Sequence, residues 1–191
     1  MARYRAGLAT RERILEATRA ILGSEGFENT TLKAICDSAG IQAGSFYNLF
    51  PSKDEAVLTV VREAITAVDP HPDGEGTDRL AELVDAYTGF IAESPLAAVY
   101  LQLAVTVGLS DEHLKGRMLR HHRYRIRRFA DAIRRDHPDL GEAEARVQAE
   151  IVIAGLNGLA YQWVLDPSFD LARYADGLVA RMNGRRPETA P

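Results

Sequence analysis

Cysteine is nearly absent from this sequence, since Cys36 is the only one among 191 residues. No intrachain disulfide can form, which excludes disulfide-stapled folds and favours a reducing, cytoplasmic location. Strand patterns are missing as well, because no alternating apolar and polar run is bounded by turn residues. The longest apolar stretch, Ile151 to Leu165, falls short of the roughly 20 residues that a membrane span needs. We therefore expect neither a β-rich fold nor a membrane protein.

Signatures of catalysis are also missing. The sequence has no Gly-rich phosphate loop, no Gly-x-Ser-x-Gly, no His-Glu-x-x-His and no paired cysteines, which are motifs that often mark active sites. His121 and His122 are adjacent and so diverge on a helix, whereas a metal site needs ligands on one face. We expect no enzyme, no metal and no cofactor. An unrecognised enzyme and a helical small-molecule binder without DNA are the alternatives.

Charge is unevenly distributed along the chain. The net charge of −4 counts mildly against nucleic-acid binding, although a DNA-binding surface needs only local positive charge. Arg3, Arg5, Arg11 and Arg13 cluster before and at the start of the first predicted helix. No apolar segment follows this basic stretch, so it is not typical of a signal peptide.

Apolar residues recur with the 3.6-residue period of helices, which predicts an all-α protein of about nine helices. Two prolines and two glycines within Asp69–Gly76 predict a loop. Before this loop, the predicted helices run from about Thr10 to Ser24, from a cap at Thr30 or Thr31 to Gly40, from Gly44 to Phe50 and from Ser52 to Val68. After it, one helix begins at a cap at Thr77 and another at Ser94 and Pro95. The last three run from Ser110 to Asp136, from Gly141 to Leu165 and from Asp170 to Met182.

The segment Thr31–Lys53, TLKAICDSAGIQAGSFYNLFPSK, has the pattern of a helix-turn-helix. Each of its two short helices has one apolar face, and Gly40 between them suits the left-handed conformation of a sharp turn. The apolar residues are Leu32, Ile35, Cys36 and Ala39 in the first helix and Phe46, Leu49 and Phe50 in the second.

The other face of the second helix carries Ser45, Tyr47 and Asn48. Their hydroxyl and amide groups are typical partners of phosphates and base edges, and such a helix fits the DNA major groove. Lys33 and Lys53 add positive charge on either side. On spacing alone, a small helical corner within a protein core is an equal alternative.

The N-terminal third of the chain resembles the DNA-binding domain of TetR-family regulators. The resemblance runs through ILEATRAILGSEGFENTTLKAICDSAGIQAGSFYNLFPSKDEAVLTVV. It implies a three-helix DNA-binding domain, a C-terminal helical domain, and a repressor that a small molecule releases from its operator. The motifs that carry it are Gly26-Phe27, Thr30-Thr31, Ala39-Gly40, Gly44-Ser45-Phe46-Tyr47, Phe50 and Ser52-Lys53.

The resemblance also implies DNA-binding roles for individual residues. Thr31 and Lys53 would bind phosphate, and Lys33 would lie over the groove edge. The remaining DNA-binding candidates lie in the second helix of the motif or at its start. Gln42, Ala43, Gly44 and Ser45 would approach bases or backbone, and Tyr47 and Asn48 would contact phosphate or base.

Two positions depart from the family pattern. The residue at Ala43 is often lysine, and its loss removes one phosphate contact and lowers the salt dependence of binding. The residue at Gln42 is often serine, whereas glutamine can bind adenine through two hydrogen bonds. Cys36 lies on the helix-packing face, so we interpret it as a core residue rather than a redox sensor.

Small and apolar residues cover much of the helix predicted at Gly141–Leu165. A four-helix bundle across a two-fold axis would bury them, so we expect a homodimer, with an ordinary core helix as the alternative. The stretch GLNGLAYQWVLDPSFDLARYADGLVARM again resembles the family's dimerisation helices. The expected bundle residues are Ile151, Ala154, Gly155, Gly158, Leu159, Ala160, Leu171, Tyr174, Leu178 and Met182.

Aromatic and amide side chains of the middle helices are candidates for a small-molecule pocket, although core or interface roles suit most of them. An anionic effector held by Arg117, His121 or Arg125 is one hypothesis for the basic helix, and a charged surface helix is the favoured one. The pocket candidates are Tyr87, Phe90, Tyr100, Gln102, His121, Asn157, Tyr161, Gln162 and Trp163.

We therefore expect a helix-turn-helix DNA-binding domain over residues 1–52 and a ligand-binding and dimerisation domain over residues 53–191. The expected partners are double-stranded operator DNA, a small-molecule effector and a second copy of the chain, with no membrane. Such a protein acts as a cytoplasmic transcriptional regulator.

Overall fold

The structure is a computed structural model that describes residues 2–67, 78–110 and 112–184, without the side chains of residues 2–4, 104–110, 113 and 114. Within those ranges every regular element is a helix, which confirms the expected all-α class and helix number. The nine helices are α1 (Ala2–Asn29), α2 (Leu32–Ala39), α3 (Ala43–Tyr47), α4 (Lys53–Ala67), α5 (Leu80–Glu93), α6 (Ala97–Ser110), α7 (Glu112–Asp136), α8 (Glu142–Leu165) and α9 (Leu171–Met182).

Helix α1 is longer than the sequence predicted. The expected start at Thr10 is wrong, because the Thr10 hydroxyl donates to the Ala6 carbonyl from within the helix at 2.9 Å. The residues before it are mostly Ala, Arg and Leu, which favour helix. At the other end, Gly26 has φ 77° and ψ −178°, so the helix is broken there before it reaches Asn29.

Helices α2 and α3 are joined as the sequence predicted. The Thr31 hydroxyl caps α2 by accepting a hydrogen bond from the Ala34 N–H, and Gly40 ends it in the left-handed conformation at φ 63°. Helix α3 ends at Tyr47, earlier than the expected Phe50. Hydrogen bonding of the helical type nevertheless continues, since the Phe50 N–H donates to the Phe46 carbonyl at 2.9 Å.

Some of the remaining helix boundaries agree with the capping residues in the sequence, and others do not. The Ser52 hydroxyl accepts from the Glu55 N–H at 3.2 Å, as the capping pattern predicted, and Asp170 caps α9. Three other helix starts differ slightly from the expected ones. Arg79 rather than Thr77 precedes α5, and α6 begins at Ala97, after a turn, rather than at Ser94 and Pro95. Helix α7 begins at Glu112 rather than at Ser110, because Ser110 ends α6. Thr77, Val68 and the expected loop Asp69–Gly76 lie outside the described residues.

The chain divides into two compact units. The first comprises Met1–Ala64 with Pro95–Leu114, and the second comprises Ile65–Ser94 with Lys115–Pro191. This division follows packing and differs from the functional division expected at residue 52, which stays a prediction. Each unit has its own apolar core, with Ile14, Leu15, Ile35 and Phe46 fully buried in the first and Leu80, Ile91, Ile133 and Leu156 fully buried in the second.

A buried carboxylate holds the start of α5 to the end of α7 in the second unit. Asp78 is 1% exposed, and it accepts a hydrogen bond from Arg128 Nε at 3.2 Å. Arg135 Nε donates to the Asp78 carbonyl at 2.7 Å, and Arg79 pairs with Asp136 at 2.9 Å. Ion pairing offsets the cost of burying Asp78, because a buried charge is tolerated only with a partner.

Candidate nucleic-acid interface

The helix-turn-helix rests on an apolar base. Phe46 is fully buried and Phe50 nearly so, and their ring centroids are 5.7 Å apart. Ile35, Cys36 and Ala39 are buried on the facing side of α2. The buried rings fix the rotation of α3 about its axis, because turning the helix would expose both of them to water.

The opposite side of α3 is open to solvent. Ser45 and Asn48 are exposed, and Tyr47 is 56% exposed. The Tyr47 ring meets the buried Phe46 ring edge-on, with centroids 5.8 Å apart, so the exposed ring is supported by a buried one. Gln42, Ala43 and Gly44, also candidates from the sequence, are exposed at the start of the helix.

Thr31 and Lys33 lie on the exposed side of α2. The Thr31 hydroxyl oxygen accepts from the Ala34 N–H at 3.1 Å, which leaves its proton available for a phosphate oxygen. Lys33 Nζ lies 2.7 Å from Asp37 Oδ2. The hydrogen bond that Lys33 donates to Asp37, followed by the negative charge of Asp37, raises the pKa of Lys33 above its ordinary value. Lys33 thus keeps its charge, but Asp37 competes with any phosphate for it.

Two cations lie on aromatic rings within the first unit. Lys53 Nζ is 4.3 Å from the Phe27 ring centroid and 3.6 Å from Asp54 Oδ1. Arg11 Cζ is 5.4 Å from the Phe50 ring centroid. Contacts of this kind orient a long cationic side chain. The sequence did not predict that Phe27 and Phe50 position cations, because both pairs join residues far apart in the chain.

The candidate ligand residues of the second unit are partly brought together. Tyr87 Oη donates to Asn157 Oδ1 at 3.0 Å, and Arg125 Cζ lies 5.0 Å from the Tyr87 ring centroid. Phe90 is buried, whereas His121 and Trp163 are half-buried. Tyr87 and Asn157 therefore form a polar contact between α5 and α8 inside a largely apolar core.

The other ligand candidates are placed differently. Tyr161 is 60% exposed and Gln162 is exposed as well, so neither is enclosed as a pocket residue would be. Tyr100 and Gln102 belong to the first unit, where Gln102 Nε2 lies 3.4 Å from Glu28 Oε1. Sequence spacing could not distinguish the enclosed candidates from the exposed ones, because helical periodicity does not indicate which apolar face packs against another helix.

Cys36 is 6% exposed between α2 and its neighbours, as a core residue should be. Burial, followed by the nearby Asp37 charge, raises the pKa of the Cys36 thiol. The thiol form therefore predominates at neutral pH, and reactivity of the thiolate type is suppressed.

Among residues 2–67, 78–110 and 112–184, no three His, Cys, Asp or Glu side chains come together as a metal ion would require. None of the described helices has a stretch that is both sufficiently long and sufficiently apolar to cross a bilayer.

An all-helical chain that exposes one side of a helix-turn-helix defines a helix-turn-helix regulator of transcription. Residues 14–59 match the family model of bacterial regulatory proteins of the tetR family. The chain is a DNA-binding transcriptional regulator rather than an enzyme, and its residues 14–59, about a quarter of its length, are similar to the DNA-binding domain of the TetR family.

Individual proteins show how far the similarity extends. The HTH-type transcriptional regulator UidR of Escherichia coli strain K12 is 28% identical over 92% of both chains. SmeT, the repressor of a Stenotrophomonas maltophilia multidrug efflux pump, has a TM-score of 0.66 at 21% identity over 95% of both chains. The regulator FadR of Bacillus subtilis, solved with stearoyl-CoA, has a TM-score of 0.69 at 13% identity over 90% of this chain and 96% of its own. The two solved structures establish likeness of fold.

Proposed function

We propose that this regulator is a cytoplasmic homodimeric repressor that binds double-stranded operator DNA and releases it when a small-molecule effector binds. The observation that carries the proposal is the exposed side of α3, where Ser45, Tyr47 and Asn48 stand on a base of buried Phe46 and Phe50. A polar, solvent-facing helix face of this kind suits the major groove.

The proposed contacts divide into two kinds. Gln42, Ala43, Gly44 and Ser45 approach base edges or the adjacent backbone, together with Tyr47 and Asn48. Thr31, Lys33 and Lys53 contact phosphates and set the register of α3 on the duplex. The exposed positions of Thr31 and Lys33, and the orientation of Lys53 by Phe27, support these roles.

The dimer is supported by an exposed apolar stripe on α8. Its large members are spaced at helical intervals and are all more than half exposed: Val147 at 58%, Ile151 at 56%, Tyr161 at 60% and Leu165 at 67%. Ala154 and Gly158 are exposed between them, which allows a second helix to approach closely. A second copy of the chain would cover this stripe with its own and extend over Tyr174, which stacks on Phe169 at 4.7 Å.

Release by an effector follows from the geometry that a dimer needs. Two recognition helices reach successive major grooves only when they lie about 34 Å apart. A ligand that binds more tightly to a dimer with another spacing shifts the population away from the DNA-binding state. We assign its site to the domain over residues 53–191, around Tyr87, Phe90, His121 and Asn157. The stearoyl-CoA complex of FadR is a precedent in a protein of similar fold.

The experiment begins by selecting duplexes from a random pool with the full-length protein and measuring their affinity by fluorescence anisotropy. Replacing both Tyr47 and Lys53 by alanine should abolish sequence-specific binding, because it removes a groove contact and a phosphate contact from each subunit. The matched control replaces Tyr124 and Lys115, which are exposed on α7, and should bind like the wild type. Selected duplexes that bind the Tyr47 and Lys53 variant with unchanged affinity and salt dependence would contradict the placement of α3.

A further inference from the structure

The arginines of α7 differ in their surroundings. Arg128 and Arg135 are engaged by Asp78, whose side chain and carbonyl oxygen accept hydrogen bonds from them. Arg125 is half-buried, and its Cζ lies 5.0 Å from the ring centroid of Tyr87 in the core of the second unit. The arginines on the solvent side of the helix are Arg120, Arg123, Arg127 and Arg134. Arg125 thus directs its charge toward the core, whereas those four face water.

Tyr87 connects Arg125 to α8. It is 8% exposed, and its hydroxyl donates to Asn157 Oδ1 at 3.0 Å. Arg125 on α7 and Asn157 on α8 therefore contact the same tyrosine of α5. The Oδ1 atom of Asn157 accepts from Tyr87, whereas the NH2 group of the same amide only donates. This tyrosine cluster, Tyr87 with Arg125 and Asn157, combines a cation with a neutral amide donor.

The tyrosine cluster lies among uncharged segments of α5 and α8. Residues 86–92 and 151–165, which flank Tyr87 and Asn157, contain no Asp, Glu, Lys or Arg. Phe90, one turn after Tyr87, is 2% exposed, and Leu156 beside Asn157 is fully buried. Electrostatic attraction is stronger in such surroundings than in water. A few polar groups placed among apolar side chains are typical of a site that binds and orients a small molecule.

The donors of the tyrosine cluster suit a carboxylate. A guanidinium is a planar fork that binds a carboxylate through two parallel hydrogen bonds, and the NH2 group of Asn157 can donate to the same anion. Arg117 and His121 precede Arg125 at intervals of four residues and are half-buried as well, so basic side chains continue along this side of α7. A cationic ligand would meet this positive charge, while the flanking segments of α5 and α8 supply no carboxylate to balance it.

We propose that the effector is a small carboxylate with an apolar body, and that Arg125 and Asn157 bind its carboxylate group beside Tyr87. The proposal rests on the proposed function, and it deepens that function by naming the chemical class of the effector. A bound carboxylate links α7 to α8 and so favours one packing of these helices. A ligand with such a preference shifts the population of conformations.

The probes are matched pairs of a carboxylate and its uncharged amide, namely octanoate with octanamide and phenylacetate with phenylacetamide. The two members of a pair have nearly the same shape, so a difference between their affinities for the full-length protein reports the effect of the charge. Isothermal titration calorimetry at neutral pH measures these affinities. At least one carboxylate should bind about tenfold to a hundredfold more tightly than its amide, the range expected for hydrogen bonds to charged groups.

Arg125→Gln should abolish the preference for the carboxylate, because it removes the charge and keeps a polar side chain. Affinity for the carboxylate should fall to that for the amide, and affinity for the amide should change little. The matched control is Arg123→Gln, which removes the same charge from an exposed position on α7 and should keep the preference. If Arg125 only stabilised the fold, its replacement would change the affinities of both members of a pair alike.

Asn157→Asp tests the same site if Arg125→Gln does not fold. The Tyr87 hydroxyl can still donate to the new carboxylate, but this carboxylate repels that of the ligand and competes with it for Arg125. The preference for the carboxylate probe should therefore be lost. Ala143→Glu adds the same charge at an exposed position near the start of α8, and it should bind the probes like the wild type.

Anisotropy of a selected duplex then connects ligand binding to DNA release. The preferred carboxylate should release the duplex from the wild type and from Arg123→Gln. Arg125→Gln should bind the duplex and keep it.

Three results would overturn the proposal even though the protein binds DNA. They are equal affinity or no affinity for the members of both pairs, a preference that survives in Arg125→Gln, and binding of the carboxylate without release of the duplex. If the wild type binds no duplex, the proposed function itself fails, and the effector role of this site fails with it.

Discussion

At the level of single residues, the Lys33–Asp37 pair decides how much charge α2 offers to a phosphate. The pair is formed by two exposed side chains one helical turn apart. Exposed pairs of this kind are readily exchanged and are weakened by salt. Asp37 therefore acts as an internal competitor, and its own negative charge opposes the approach of a duplex.

Replacing Asp37 by asparagine should raise DNA affinity a few-fold at low salt and have little effect at high salt, where such charges are screened. The pKa of Lys33 should return toward its ordinary value of 10.5, because the neutral amide removes the carboxylate charge and accepts only a weaker hydrogen bond from the ammonium. The lysine is protonated at neutral pH in both proteins, so the gain comes from removed competition rather than from titration.

Anisotropy titrations measure this gain, and Asp85→Asn, which removes an exposed charge from α5, provides the control. Equal affinities for the Asp37 and Asp85 variants at low salt would place Lys33 away from the phosphates. An NMR titration of the lysine side chain checks the pKa change independently.

Residue identity predicted the exposed face of α3 but not how its neighbours are held. Ser45, Tyr47 and Asn48 could be assigned to the exposed side because Phe46 in α3 and Phe50 just after it are both apolar enough to be buried on the other side. The contact between Lys53 and Phe27 could not be predicted from the sequence, since it depends on how α1 and α4 pack. The Lys33–Asp37 pair was available from the sequence as an i,i+4 spacing.

At the level of helices, the turn between α2 and α3 depends on one backbone conformation. Gly40 has φ 63°, whereas Gly44 in α3 has no left-handed φ, and an added Cβ would meet no atom within 4 Å at either position. The two glycines thus differ in backbone conformation and not in available space. They form a natural pair for measuring what the turn contributes.

Gly40→Ala should lower the free energy of unfolding by about 1–2 kcal/mol, because a Cβ is strained in the left-handed region. Gly44→Ala should instead raise it by about 0.5–1 kcal/mol, since alanine loses less conformational entropy in a helix. Urea denaturation followed by circular dichroism measures both changes. Changes of the same sign in the two variants would contradict the conformational explanation.

Capping side chains and glycines marked some helix ends correctly, whereas the starts expected at Ser94 and Ser110 lie before the observed starts of α6 and α7. Thr31, Gly40 and Asp170 all occupy the expected cap positions. The start of α1 was missed because no residue before Thr10 signals a beginning, and good helix formers simply continue the helix. The end of α3 was predicted too late in the chain, because Pro51 stops the helix from continuing but does not fix the residue at which regular α-helix ends.

At the level of the whole molecule, the apolar stripe on α8 is the surface through which we propose that two copies of the chain pair. Ile151 lies within this stripe and is 56% exposed in the single chain. A repressor with two recognition helices gains affinity from binding both half-sites at once. Disrupting the stripe should therefore weaken DNA binding without touching the recognition helix.

Ile151→Glu should convert the dimer to a monomer, because it places a charge in an apolar interface. Affinity for a selected palindromic duplex should fall by about a hundredfold or more, as simultaneous binding of two half-sites is lost. Sedimentation velocity measures the mass, and anisotropy measures the affinity. Leu119→Glu, at an exposed leucine on α7, is the control and should remain dimeric. A dimeric Ile151→Glu protein would place the interface elsewhere.

The proposed effector site is the part of the molecule that the sequence constrains least. Tyr87 and Asn157 are 70 positions apart and meet only because α5 and α8 pack together. Tyr161 lies one helical turn after Asn157 and is nevertheless exposed. Composition selected plausible pocket residues, but the boundary between pocket and surface depends on tertiary packing.

The single cysteine has a further use. Because Cys36 is buried on the packing face of α2 and no other thiol exists in the chain, we expect a thiol reagent to modify the native protein when that region opens locally. The modification rate then reports the free energy of this opening, in the same way as hydrogen exchange does for a buried amide. The local stability of the helix-turn-helix can thus be followed in the unaltered protein, with no introduced label.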